Sequence, residues 1–183
     1  MQVRELNLPG LLLIEPRVHG DSRGFFLETW RADQYPESIG ELVQDNQSRS
    51  ARGVLRGLHY QLEKPQGKLV RAARGRVYDV ALDIRRGSPT FGRWQGVLLD
   101  DEAHQQLWVP PGFAHGFCVL SETADFCYRC SDYFNPGDEY GIAWNDPALA
   151  IDWPLTDPSV SDKDAAWMPL ASVPDDHLPR WKP

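Results

Sequence analysis

Two histidines stand in settings that could do chemistry. His59 lies in Arg56-Gly57-Leu58-His59-Tyr60-Gln61, and His115 lies in Pro110-Pro111-Gly112-Phe113-Ala114-His115-Gly116-Phe117. An imidazole titrates near neutral pH, so either could move a proton or bind a metal. A glycine close to each lets a second backbone or a ligand come near. Alone, either histidine reads more simply as a structural residue with its nitrogens satisfied. Cys127-x-x-Cys130 has the spacing of a redox or zinc pair. It falls in a strand-like stretch, where positions three apart face opposite ways, so it is expected to be inert. No G-x-G-x-x-G, P-loop or G-x-S-x-G is present, which excludes the standard dinucleotide, NTP and hydrolase cradles.

Charge narrows the ligand class. The net charge is −7. A globally acidic chain is a poor non-specific binder of nucleic acid. Residues 49–86, however, carry ten Lys/Arg against three acids, leaving the rest of the chain at −14. Such an island suggests a compact anion site of phosphate size. Its bland alternative is a solvated strand face balanced by acids elsewhere.

These residues need a frame. The 183 residues suffice for one domain with a real core. Val77 to Ile84 alternates cleanly, with Tyr78, Val80, Leu82 and Ile84 on one face and Asp79, Ala81 and Asp83 on the other. Leu55–Leu62, Phe117–Leu120 and Asp125–Ser131 read as further strands. In a regular strand His59 would share a face with Leu55, Gly57 and Gln61. Turn signals separate these runs, which argues for an antiparallel sandwich or barrel. One short helix is expected within 31–43, and another at Ser161–Trp167 with Ser161 as N-cap and acids in the first turn. Eight of the fifteen prolines lie from Pro136 onward, so the C-terminal third should be loop-rich and pack over the sheet. No apolar run can span a membrane, and the first residues lack a signal-peptide core. Three cysteines cannot close a disulfide framework, so a cytoplasmic setting is expected.

Pro110-x-Gly112-x-x-His115 resembles the second motif of the cupin superfamily. Metal-binding cupins pair it with a first motif holding two histidines two apart, but here His59 is followed by Gln61. No three or four N, O or S ligands can be assembled around His59 and His115. The cupin likeness therefore implies the barrel and not the metal.

Five segments read together are more specific. They are Gly20–Glu28, Val43–Ser48, Gly53–Gln61, Gln66–Arg71 and Pro111–Phe117, followed in order by Trp144-Asn145-Asp146-Pro147 and Ser161-Asp162-Lys163-Asp164. From about residue 3 to about residue 167 the chain resembles the dTDP-4-dehydrorhamnose 3,5-epimerase family. The resemblance implies an all-β fold, a cupin-type double-stranded β-helix (jelly-roll) barrel with a few short peripheral helices. It would form a single domain over 1–183, with a barrel core at about 15–150 and a loop- and helix-rich segment at about 151–183. It implies a dTDP-sugar substrate, no cofactor, no metal, no nucleic-acid or membrane partner, and a homodimer whose N-terminal strand joins the partner's sheet.

The implied reaction inverts C3 and C5 of dTDP-4-dehydro-6-deoxy-D-glucose through an enolate. By resemblance His59 is the base, Asp164 its carboxylate partner, Lys68 the cation at the sugar carbonyl and Tyr128 the proton donor. Substrate contacts map to Arg23, Glu28, Gln44, Asn46, Arg56, His115, Glu139 and Lys163. Arg23 and Arg56 suit phosphate oxygens. Phe134 stands where the family often has a tyrosine against the thymine, and His19 where it often has another aromatic. Stacking survives both changes, but the phenol hydrogen bond is lost. A mono-epimerase would use the same four catalytic residues. A metal-dependent cupin oxygenase and a sugar-nucleotide binding protein are the readings from other classes.

Overall fold

The computed structural model describes residues 1–182. Its strands are β1 (Gln2–Glu5), β2 (Leu12–Glu15), β3 (Val18–Asp21), β4 (Gly24–Leu27), β5 (Gln44–Ala51), β6 (Leu55–Gln61) and β7 (Lys68–Arg74). They continue as β8 (Arg76–Asp83), β9 (Trp94–Asp100), β10 (Gln106–Val109), β11 (Phe113–Val119), β12 (Thr123–Cys130) and β13 (Glu139–Gly141). Among the described residues one α-helix appears, α1 (Asp162–Ala165). None of the helices is long and apolar enough to cross a membrane.

The strands pair antiparallel in two sheets. One has the order β1-β2-β10-β7-β12-β5 and the other β13-β6-β11-β8-β9, while β3 and β4 form a separate hairpin. Apolar side chains from both sheets meet in one core, including Val70, Ala72, Val77, Ala81, Leu107, Phe113, Phe117 and Phe126. Burying such residues at roughly 25 cal/mol per Å² of apolar surface is the main force holding sheet on sheet. The outer face of the five-stranded sheet is also covered. There Leu58, Tyr60, Val80, Leu82 and Ile84 pack under Leu149, Ile151, Trp153, Leu170 and Leu178 of the loop-rich C-terminal segment. The alternation in β8 thus has two buried faces. Its apolar face meets the C-terminal segment, and its Asp79 face points between the sheets.

Two local expectations change. The helix anticipated within 31–43 is two 3-10 turns, Ala32–Gln34 and Glu37–Ile39. Tyr35 between them is extended (φ −91°, ψ 155°), as a residue preceding proline is driven to be. The regular strand expected around His59 carries a β-bulge: His115 pairs with His59, but Phe117 pairs with Arg56. The extra residue in β6 re-aims the chain, so Arg56 and His59, three apart, reach the same cavity.

Candidate active site

Between the sheets, at one end, lies a cavity of about 350 Å³. Register explains who lines it. On the six-stranded sheet, Lys68 pairs with Cys130 and Cys130 with Gln44, while Val70 pairs with Tyr128 and Tyr128 with Asn46. Alternation then sends Lys68, Tyr128, Gln44 and Asn46 inward. On the five-stranded sheet, His59 and His115 sit opposite each other. The cavity therefore has one wall bearing two imidazoles and a facing wall bearing an ammonium and a phenol.

Two glycines let the histidine wall close up. A Cβ on Gly57, whose φ is +130°, would lie 2.5 Å from the Gly116 Cα, and a Cβ on Gly116 would lie 2.7 Å from the Arg56 carbonyl oxygen. The close approach anticipated from the glycines is a backbone-on-backbone contact between β6 and β11.

His59 keeps 23% of its side chain exposed and places Nε2 2.5 Å from Asp164 Oδ1. Asp164 is buried in α1, where the Ser161 side chain accepts from the Asp164 N–H as the expected N-cap. Burial opposes ionisation of Asp164, but the bonds from His59 and from the Gly57 N–H outweigh it and hold its pKa below the ordinary value. An ionised Asp164 accepts the Nε2 proton, which leaves Nδ1 of a neutral His59 with a free lone pair.

The second histidine has its own carboxylate. His115 Nε2 lies 2.9 Å from both oxygens of Asp79, which is fully buried. Burial lowers the pKa of Lys68, with Cys130, Glu139 and Asp79 acting the other way. Burial raises that of Tyr128, so its phenol keeps its proton at neutral pH. Neither the Lys68 ammonium nor the Tyr128 hydroxyl has a hydrogen-bond partner among the described residues, and both line the cavity.

Most other expected positions meet here. Gln44, Asn46, Arg56, His115, Phe134, Glu139 and Lys163 line the same cavity. Lys163 Nζ donates to Glu139 Oε1 at 2.8 Å, and Arg56 Nε donates to Ser50 Oγ at 3.1 Å. Three positions lie elsewhere in this chain. His19 and Arg23 line a groove on the β3–β4 hairpin, and Glu28 lines another beside Tyr35. Arg23 is turned onto Asp21. Four of the ten cations of the basic island are held in ion pairs: Arg49 with Asp125, Arg76 with Asp100, Arg85 with Asp83 and Arg86 with Asp175. Of its ten cations, Arg56 and Lys68 line the cavity. The Cys pair splits as alternation requires: Cys130 is buried, Cys127 half-buried, and both are free thiols.

Sequence reasoning passed over Asp79 and Gln66, and took Gln61 only as the absence of a second metal-ligating histidine. For Asp79 the signal was visible: an acid on the inner face of an otherwise apolar strand must have a buried partner. For the glutamines nothing in the sequence marked a role in holding a loop.

A base on one wall, backed by a carboxylate, with a cation and a phenol on the other, can deprotonate a carbon acid, hold the enolate and reprotonate it from the far side. Known proteins agree with that geometry. The family model described as dTDP-4-dehydrorhamnose 3,5-epimerase matches residues 5–172. A dTDP-4-dehydrorhamnose 3,5-epimerase of Pseudomonas aeruginosa is 56% identical over 168 residues, covering 90% of this chain and 93% of that one. The solved dTDP-6-deoxy-D-glucose-3,5-epimerase of Legionella pneumophila, in complex with dTDP-4-keto-L-rhamnose, is 51% identical with a TM-score of 0.96, covering 100% of this chain and 99% of that one. A 3′-monoepimerase from Streptomyces bikiniensis, in complex with dTDP-quinovose, is 35% identical with a TM-score of 0.90, covering 96% of this chain and 91% of that one. With the family model matched over most of its length and relatives above half identity, this chain belongs to the dTDP-4-dehydrorhamnose 3,5-epimerase family.

Proposed function

We propose that this chain inverts C3 and C5 of dTDP-4-dehydro-6-deoxy-D-glucose to give dTDP-4-dehydro-L-rhamnose, in dTDP-L-rhamnose biosynthesis. The carrying observation is the placement of His59 and Tyr128 on opposite walls of one cavity. The C4 ketone acidifies the C–H bonds at C3 and C5. His59 Nδ1 takes a proton, and the imidazolium rests against the Asp164 carboxylate. Lys68 meets the enolate oxygen, an interaction of the size of an oxyanion-hole donor, about 3–4 kcal/mol. Tyr128 delivers a proton to the opposite face, and the configuration inverts. The C4 ketone itself takes up the carbanion charge as an enolate and no redox step occurs, so the chemistry requires no cofactor.

Arg56 and Lys163 are placed for the diphosphate, Phe134 for stacking on the base, and Gln44, Asn46, His115 and Glu139 for sugar or base hydrogen bonds. Higher identity to the 3,5-epimerases than to the 3′-monoepimerase supports inversion at both carbons. The two facing sheets are the halves of a cupin-type jelly roll. The active form is a homodimer. Phe25 and Phe26 on the β3–β4 hairpin are 59% and 67% exposed, and β1 lies open at a sheet edge. A second copy would cover these surfaces and bring His19, Arg23 and Glu28 of one protomer to its partner's cavity. Three free thiols suit a reducing cytoplasm.

The test is incubation with dTDP-4-dehydro-6-deoxyglucose in D₂O, read by proton NMR. Deuterium at both C3 and C5, with inverted products, is expected. Exchange at one carbon would make this chain a mono-epimerase, and exchange at neither would overturn the reading.

A further inference from the structure

The loop joining β12 to β13 carries Phe134 over the mouth of the cavity. The residue is 48% exposed. What fixes it is the backbone, and that backbone is gripped at four consecutive residues by glutamine side chains. Gln66 Nε2 donates to the Asp132 carbonyl at 2.8 Å. Gln61 Nε2 donates to the Tyr133 carbonyl at 3.2 Å and to the Lys64 carbonyl at 2.8 Å. The Phe134 N–H donates to Gln44 Oε1 at 2.9 Å, and the Asn135 N–H donates to Gln61 Oε1 at 2.8 Å.

Gln61 is the centre of this cradle. It is 4% exposed, and its amide both accepts from and donates to the loop, as one strand does to another. Buried polar groups of this kind are costly unless satisfied, so the arrangement is strongly preferred over a splayed loop. Gln61 touches none of the four groups assigned to proton transfer or enolate stabilisation.

We propose that Gln61, assisted by Gln66 and Gln44, is a positioning residue that pre-sets Phe134 as a stacking platform, and so sets affinity for the nucleotide half of the substrate. This rests on the dTDP-sugar reading above. A rigid aromatic loses little freedom on binding a base, whereas a loop that must first be ordered weakens binding by that cost.

The test compares wild type, Gln61→Glu, Phe134→Ala and the double variant. Glutamate keeps the shape and the acceptor for Asn135 but turns an oxygen onto the two carbonyls. Calorimetry with dTDP alone is expected to show about 10- to 100-fold weaker binding for Phe134→Ala, the range of one base–aromatic stack. Gln61→Glu should weaken dTDP about 5- to 20-fold, and the double variant should match Phe134→Ala within about twofold. Backbone amides of Phe134 and Asn135 should exchange faster in Gln61→Glu, and its kinetic loss should fall in KM rather than kcat. Should Gln61→Glu not fold, Gln66→Ala carries the same test with a loss of about two- to fivefold. Unchanged dTDP affinity, fully additive losses, or a fall in kcat at constant KM would overturn the proposal alone. A wild-type chain without affinity for dTDP would overturn the substrate reading with it.

Discussion

Strand β8 holds two buried carboxylates with opposite fates. Asp79 and Asp83 lie on the same face of β8, opposite Phe117 and Phe113, and both are fully buried. Asp83 is saturated. It accepts from Arg85 Nε at 2.9 Å, Arg85 Nη2 at 2.8 Å, Ser88 Oγ at 2.6 Å and Thr90 Oγ1 at 2.6 Å. The Arg85 guanidinium is in turn clamped between the rings of Phe113 and Trp181, at 4.2 and 4.3 Å. Asp79 instead holds one nitrogen of His115, whose ring lines the cavity beside His59. Burial alone therefore does not mark a working carboxylate. A polar cluster that closes on itself holds the C-terminal segment to the five-stranded sheet, whereas one that ends on a group open to a cavity is equipped to meet a ligand.

Breaking each region should cost different things. His59→Ala removes the proposed base and should lower kcat about 10²- to 10⁴-fold in a spectroscopic turnover assay, an effect on turnover larger than that on melting temperature. Arg85→Met does the reverse. Leaving the Asp83 carboxylate buried without its cation should cost about 3–5 kcal/mol by urea denaturation, while folded molecules keep their turnover. Lys68→Ala should lower kcat about 10²- to 10³-fold by removing the enolate's cation.

The pH profile sharpens this further. Burial puts the Lys68 pKa below its ordinary 10.5, and burial raises that of Tyr128. As pH rises, Lys68 loses its proton below its ordinary range and Tyr128 above its own. The basic limb of kcat/KM should therefore fall below 10.5 in wild type and move upward in Lys68→Arg. Ser161→Ala has the smallest effect, about 1 kcal/mol of stability and a several-fold lower kcat, because the cap that seats Asp164 is lost.

Much of the frame was legible from residue pattern. The alternation of Val77–Ile84, the cap at Ser161 and the paired glycines near His59 and His115 each carry a local physical signature, and each appears in place. Strand β5 was harder to read as a strand. Gln44, Asn46 and Ser48 point into the cavity, so no apolar period marks it. The bulge that unites Arg56 with His59 depends on pairing with β11, a partner more than fifty residues away. The basic island misled for a related reason. Four of its arginines find acids, three of them distant in sequence, at Asp125 and Asp100 on neighbouring strands and at Asp175 in the C-terminal segment, which local charge counting does not see. The proposed catalytic set was legible as chemistry only through family resemblance, since Tyr128 and Lys68 taken singly are ordinary strand residues.

The central claim is that base and acid work from opposite walls. The most direct test is Tyr128→Phe with the keto sugar in D₂O, following exchange and inversion separately by NMR. With His59 intact, deuterium should still enter at C3 or C5 while inversion falls by at least about 10²-fold, because the enolate is reprotonated from the face it left. Loss of exchange and inversion in parallel, or inversion at the wild-type rate, would contradict the two-wall account.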